Sequence, residues 1–192
     1  RIHAHTLLLA GVIVNAFFSA IIMFIASVID ASRIQSYMLW MIGHLDVADP
    51  KLLWIVGVLV MIGFVVLLLY SRQLNVMSFG EETAQQLGVN VERTKKIVFI
   101  AASLIAGSVV SISGIIGFIG LMIPHIIRYW VGSDHRILIP CSALGGSIFL
   151  VFADTIARTI LAPTEIPVGV ITALCGAPFF IYLLRSRKWR SF

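Results

Sequence analysis

Residues Ile97–Val131 read IVFIAASLIAGSVVSISGIIGFIGLMIPHIIRYWV. How this stretch crosses a bilayer decides the fold. As one helix its 35 residues would measure about 52 Å at 1.5 Å per residue, too long for a hydrocarbon core about 30 Å thick. Two complete spans want about 40 residues, slightly more than are available. Gly107, Ser108, Ser111, Ser113, Gly114, Gly117, Gly120 and Pro124 interrupt it. Charge arbitrates: Arg93, Lys95 and Lys96 precede the stretch, and Arg128 and Arg136 close it. If both clusters lie on the cytoplasmic side, the chain crosses twice. The expectation is two short or broken helices turning near Ser111–Gly114, with a re-entrant hairpin, covered by protein, as the alternative.

Outward from there the chain remains apolar. It has 192 residues, of which 59% are hydrophobic and 12% charged, about half the charge of an ordinary soluble domain. That excludes a soluble globule and predicts an all-α, polytopic membrane helical bundle. Leu7–Ile29 is a span without charge, carrying Gly11, Asn15 and Ser19 on one face, a helix–helix contact pattern. Asp30–Lys51 is mixed, and Ile34–Ile42 reads as a short surface helix. Pro50 precedes a span at Leu52–Tyr70. Gly132–Arg136 is a polar loop, Ile137–Leu161 a span with Pro140 in its first turn, Ala162–Pro167 a loop, and Val168–Leu184 a last span with Pro178 inside. The expected total is about six spans. Cys141 and Cys175 lie in apolar runs and read as buried hydrophobes rather than a disulfide or metal ligands.

The net charge of +5 does not mark a nucleic-acid binder, because the cations sit at the ends of apolar runs. Eleven of the fourteen Lys and Arg fall on one side of the six-span layout, which predicts both ends of the chain and the polar segment Met77–Lys96 to be cytoplasmic. The chain opens on Arg1 rather than Met, which suggests a piece of a longer chain.

Met77–Lys96, MSFGEETAQQLGVNVERTKK, is the longest polar run. Ser78 and Glu81 have capping-box spacing, and Gly88 is a helix stop. Met77, Gly80, Ala84, Leu87 and Val91 would share one face of a helix, with Glu81, Glu82, Gln85 and Gln86 elsewhere. An acidic helix is poorly matched to anionic headgroups, so a protein partner is the better reading.

Three segments carry a resemblance: LNVMSFGEETAQQLGV, GIIGFIGLMIPHIIRYWVGSDHRILIP and FADTIARTILAPTEIPVGVITALCGAPFFIYLLR. Together they resemble the permease subunits of ATP-binding-cassette importers for cobalamin, haem and ferric siderophores. The resemblance covers residues 1–192 as a single permease domain, equivalent to the last six helices of a ten-helix fold. It implies that the cytoplasmic loop 77–96 forms short coupling helices seated in an ATPase subunit, at Ser78, Gly80, Glu81, Glu82, Ala84, Leu87 and Gly88. It implies that Arg158 meets carboxylates of a substrate-binding protein, and that His3, Ala4, His5 and Thr6 lie at the inner gate. Its implied partners are an ATPase dimer, a second permease copy, the binding protein and membrane lipid, with no nucleic acid. The implied location is the prokaryotic inner membrane. No Gly-x4-Gly-Lys-Ser/Thr loop occurs, so ATP must be hydrolysed by a separate chain; the resemblance implies a translocation subunit that is not an enzyme, with no cofactor or metal of its own. ATP and Mg2+ belong to the partner ATPase.

Asp154 and Arg158 are spaced i, i+4 within a span. A self-neutralised pair and a docking arginine oriented by Asp154 are both open readings. His125 reads as a packing residue with a backbone hydrogen bond, and His135 as a solvated loop residue. Two other functions fit parts of the pattern: a secondary transporter, for which Asp154 would be the one intramembrane acid, and a non-transporting scaffold.

Overall fold

The computed structural model describes residues 4–46 and 49–185. Within them the chain is helical, and no strand occurs among the described residues. The elements are α1 (Ala4–Val28), α2 (Ile34–Ile42), α3 (Pro50–Leu69), α4 (Ser71–Met77), α5 (Glu81–Gln86), α6 (Val91–Ser113), α7 (Ile119–Val131), α8 (His135–Thr159) and α9 (Val168–Arg185). A single 3-10 turn, Ala31–Arg33, precedes α2.

Two compact units are present, 1–41 and 42–192. The first holds α1, a 25-residue helix without a charge in its first or last turn, whose described side chains are almost all exposed. The second contains α3 through α9.

In the second unit the chain runs back and forth between two ends. Asp49 caps α3, accepting from Lys51 N–H at 2.9 Å, and Pro50 occupies the first turn, where its missing N–H costs nothing. At the other end the chain bends at Tyr70 (φ −91°, ψ 2°) into α4. Asn90 then caps α6, accepting from Arg93 N–H at 3.0 Å, and α6 packs back along α3. Helix α6 stops at Ser113, where Gly114 takes a positive φ, within the turn expected at Ser111–Gly114.

Whether the chain then returns is answered by hydrogen bonds at both ends. His44 N–H donates to Ser113 O at 2.9 Å and Gly169 N–H to Gly43 O at 3.2 Å. These gather the loop after α2, the α6–α7 break and the start of α9 at one end. At the opposite end the α7–α8 turn is bonded to Asn75 of α4. The stretch 97–131 therefore goes out and comes back. Its two legs are unequal, a 23-residue α6 and a 13-residue α7, about 35 and 20 Å by helical rise.

Among the described residues, four helices are long and apolar enough to cross a membrane: Leu9–Val28, Pro50–Leu69, Val91–Ser113 and His135–Thr159. Helices α7 and α9 are shorter apolar helices. Large apolar side chains such as Met61, Phe99, Ile148 and Phe152 point outward, as lipid demands and water forbids. Inside, small residues let helices approach: a Cβ on Gly63 would meet Ile105 and Ala101, and one on Gly145 would meet Ile127 and Ile123. Aromatic rings fill the α7–α9 seam. Phe118 lies 6.1 Å from Phe180, and the ring of His125 meets Phe179 edge-on at 6.0 Å, the packing expected of His125; the backbone hydrogen bond expected of its ring does not form among the described residues.

Several boundaries differ from the sequence reading. Helix α8 starts at His135, because Asp134 caps it by accepting from Arg136 N–H. Pro140 is therefore inside the helix rather than in its first turn. Cys141 is half-buried and Cys175 exposed, not two buried thiols.

Candidate functional site

The polar segment forms a compact cap at the α4 end of the second unit. Gly80 adopts φ 109°, ψ 148°, a conformation essentially restricted to glycine. This separates α4 from α5 and makes Gly80, not Ser78, the N-cap of α5. Ser78 instead closes α4, its Oγ donating to Asn75 O at 2.7 Å. The expected capping box of Ser78 with Glu81 does not form. Glu81 is the first residue of α5 and reaches Lys95 of α6 at 2.6 Å.

The single amphipathic helix expected from Met77 to Val91 is likewise replaced by three pieces. Met77 ends α4, α5 has six residues, and Val91 begins α6. What survives is the glycine stop. Gly88 (φ 83°) donates to Gln85 O at 3.0 Å, and Val89 N–H donates to Ala84 O at 2.9 Å. These are the two hydrogen bonds of a Schellman motif.

The outcome is a short helix anchored on one side and open on the other. Ala84 is fully buried and Val91 and Thr94 nearly so. Ser78, Gly80, Glu81, Glu82, Leu87 and Gly88 are all exposed. Leu87 at 67% and Phe79 at 78% are among the exposed large apolar side chains, one at each end of α5. Two apolar side chains and the Glu82 carboxylate are thus left in the open on a helix too short to be stable alone. Phe79 was not singled out in the sequence reading, although an aromatic in a polar run was a visible signal.

Sequence reasoning also missed Asn75. Its Nδ2 donates to Asp134 Oδ1 at 2.6 Å, and its Oδ1 accepts from the His135 backbone N–H at 2.8 Å. His135 Nδ1 lies 2.7 Å from the same Oδ1. His135 is thus a partly buried, engaged residue rather than a solvated one. Asp134 is held below the usual carboxylate range, first by the Arg136 N–H and then by the Asn75 amide.

At the opposite end, Arg158 Nε lies 2.8 Å from Asp154 Oδ2 and a guanidinium nitrogen 3.8 Å from Glu165 Oε1. Asp46 is within Coulombic reach. The pairing expected within α8 is present, and it leaves Arg158 partly exposed among three carboxylates. Of the four gate positions, His3 lies outside the described residues. Ala4, His5 and Thr6 fall in the first turn of α1, and their side chains also lie outside the described set. The basic residues Arg187, Lys188 and Arg190 lie outside it as well.

Three comparisons bear on this arrangement. Residues 1–186 match the family model described as the FecCD transport family. The chain is 42% identical over 186 residues to the hemin transport system permease protein of Yersinia pestis, covering 96% of this chain and 56% of that one. It is 47% identical over 187 residues to the cobalamin import system permease protein of Halobacterium salinarum, covering 97% and 50%. A solved structure described as an inward-facing metal-chelate type ABC transporter superposes with a TM-score of 0.86 at 32% identity, covering 95% of this chain and 61% of that one. The chain spans about half the length of the curated relatives it matches. Its four membrane-length helices, its outward apolar surface and these relatives mark a membrane-embedded protein. The match over residues 1–186 and the shared helical architecture place the chain in the FecCD transport family.

Proposed function

We propose that this chain is part of the permease of an ATP-binding-cassette importer, with α4, α5 and the start of α6 as the surface that receives the ATPase. The observation that carries this reading is the α5 helix itself, pinned by a buried Ala84 and presenting Phe79, Glu82 and Leu87 outward. Lipid headgroups are a poor match for that acidic face. The permease conducts and the partner ATPase binds ATP and Mg2+. Partners are an ATPase dimer, a second permease copy, a substrate-binding protein and the surrounding lipid. The α5 end is cytoplasmic, at the inner membrane of a prokaryote, in keeping with Arg72, Arg93, Lys95, Lys96, Arg128 and Arg136 gathered near it. The named relatives carry hemin and cobalamin, so the cargo class is a metal chelate: haem, cobalamin or a ferric siderophore. Arg158 is the candidate contact for the binding protein, and positions 3–6 the candidate inner gate.

A secondary transporter driven through Asp154 is the weaker reading, because that carboxylate is already engaged by Arg158 at 2.8 Å. The test is Glu82→Lys in the assembled permease. Unlike Glu81, Glu82 forms no ion pair among the described residues, so its reversal should leave the fold intact. ATPase pull-down should be lost while membrane insertion persists. Retention of the ATPase by Glu82→Lys, and also by Leu87→Asp, overturns the docking assignment.

A further inference from the structure

A docking helix is useful only if its displacement reaches the membrane helices, and one side chain offers the connection. Helix α4 carries α5 directly, across Ser78, Phe79 and Gly80. Helix α4 also packs against α8, and Asn75 joins it to the first turn of that helix. The amide is used at both ends: Nδ2 donates to Asp134 Oδ1, and Oδ1 faces the His135 N–H and ring Nδ1, all within 2.6–2.8 Å. One carbonyl oxygen has lone pairs for both His135 groups when Nδ1 carries the proton.

The tie is made where α8 is weakest in internal partners. The first N–H groups of a helix have no acceptor within it. Here Asn75 accepts one, at His135, and Asp134 accepts another, at Arg136. Asp134 therefore faces both ways, capping α8 and receiving Asn75. Moving α4 away from α8 would break the tie and expose unpaired amide groups together.

Two features make this route stiffer than its neighbours. The chain bends at Tyr70, so α4 is not a rigid extension of α3. The other polar link from α5, Glu81 to Lys95, joins side chains that are 58% and 49% exposed, where water and salt weaken an ion pair. The contacts to His135 are partly buried, while the one to Asp134 is exposed, so the His135 arm is the stiffer of the two.

We infer that Asn75 is the positioning residue that carries displacement of α5 to the α7–α8 turn, through Asp134 and His135. This rests on the reading of α5 as the ATPase-docking helix. The relay predicts that α8 and α7, which meet at this turn, respond to nucleotide through α4.

The test uses the assembled importer that contains this chain, with its ATPase, in lipid nanodiscs. Hydrogen–deuterium exchange is compared between ADP and ATP–vanadate states at residues 81–88 and 131–138. Wild type should show a nucleotide-dependent difference in both segments. Asn75→Asp removes the Nδ2 donor and sets a carboxylate against Asp134. It should keep the ATPase bound and the response at 81–88, while the response at 131–138 falls by at least about fivefold, the loss of one net hydrogen bond's worth of coupling. The exchange Asn75→Asp with Asp134→Asn returns one donor and one acceptor to the pair, although the new amide must divide between its oxygen and nitrogen the two bonds that Asp134 Oδ1 alone accepts, and it should restore part of the response. A purely structural role would not return a nucleotide-dependent signal in this way. Should Asn75→Asp fail to assemble, Asn75→Ser, whose side chain is too short for the bracket, should show the same loss.

A response at 131–138 that survives Asn75→Asp or Asn75→Ser overturns the relay, as does failure of the exchanged pair to restore any of it. A wild-type response at 81–88 with none at 131–138 overturns the relay alone. Absence of ATPase contact at 81–88 in wild type overturns the docking reading and the relay with it.

Discussion

Gly176 of α9 leaves the space that the side chain of Phe118 occupies. A Cβ at position 176 would overlap sterically with Phe118 Cβ and Cγ. Phe118 is the N-cap of α7 and has φ 69°, a left-handed conformation unfavourable for a bulky residue by about 1–3 kcal/mol. Phe118 O accepts from Leu121 and Met122 N–H, and its ring lies 6.1 Å from Phe180. Packing into α9 therefore holds a strained residue at the point where the chain turns back. Gly176→Ala should destabilise the protein by about 1–3 kcal/mol through overpacking, read as a lowered thermal unfolding midpoint in detergent. Phe118→Gly in the same chain should relieve part of that loss. Additive effects of the two changes would show that they do not share the seam.

The Asp134 cap has a defined pH signature. Its folded carboxyl lies below the usual value of 3.8, chiefly because it accepts from Arg136 N–H and then from Asn75. A lowered folded value means its contribution is fully present above about pH 3.8 and is lost as pH falls through the folded value. Exchange protection at 135–138 should therefore decline only in that acidic window. Asp134→Asn should abolish the decline while keeping the cap, and Asp134→Ala should lower protection at all pH values.

Glu81 and Glu82 should separate in mutagenesis although they are neighbours. Glu81 meets Lys95 in a solvent-exposed pair, worth roughly 0–1 kcal/mol. Glu81→Gln should shift the thermal midpoint little, and Glu81→Lys with Lys95→Glu should match wild type in stability. Glu82→Lys should leave stability unchanged and remove ATPase binding. Surface-immobilised ATPase with the purified permease variants would measure the difference.

Arg158 should act as a shared cation. It is 2.8 Å from Asp154 and 3.8 Å from Glu165, so its charge is partly neutralised before any partner arrives. Arg158→Glu should weaken capture of the binding protein by the complete permease. Asp154→Asn, which removes one competing carboxylate, should leave that affinity unchanged or raise it, because Glu165 lies farther away. Equal losses for both variants in a titration would reduce the pair to a packing device.

Local and periodic signals made much of this chain legible in advance. Composition alone required a membrane bundle, since 59% hydrophobic residues with 12% charge leave no soluble alternative. Ile34–Ile42 has the bounds read from its sequence. Gly114 ends α6 and Gly88 ends α5 as their residue type implies, because backbone conformation there is a property of the residue itself. The i, i+4 pair of Asp154 and Arg158 forms because one helix turn brings the two together.

The tertiary structure decided what depends on residues far apart in the chain. Ser78 looked like a helix cap by spacing, but Gly80 broke the chain first, and Glu81 turned to Lys95, fourteen residues on. Asn75 carried no sequence signal of its role, because its partners lie 59 and 60 residues away. The same contact showed that Ile97–Val131 returns to its starting end, which length and charge left divided between two spans and a hairpin. Sequence determines where a helix can begin and end through local backbone and side-chain preference. Which two ends meet is set only when apolar packing brings distant turns together, and their unpaired amides then find acceptors.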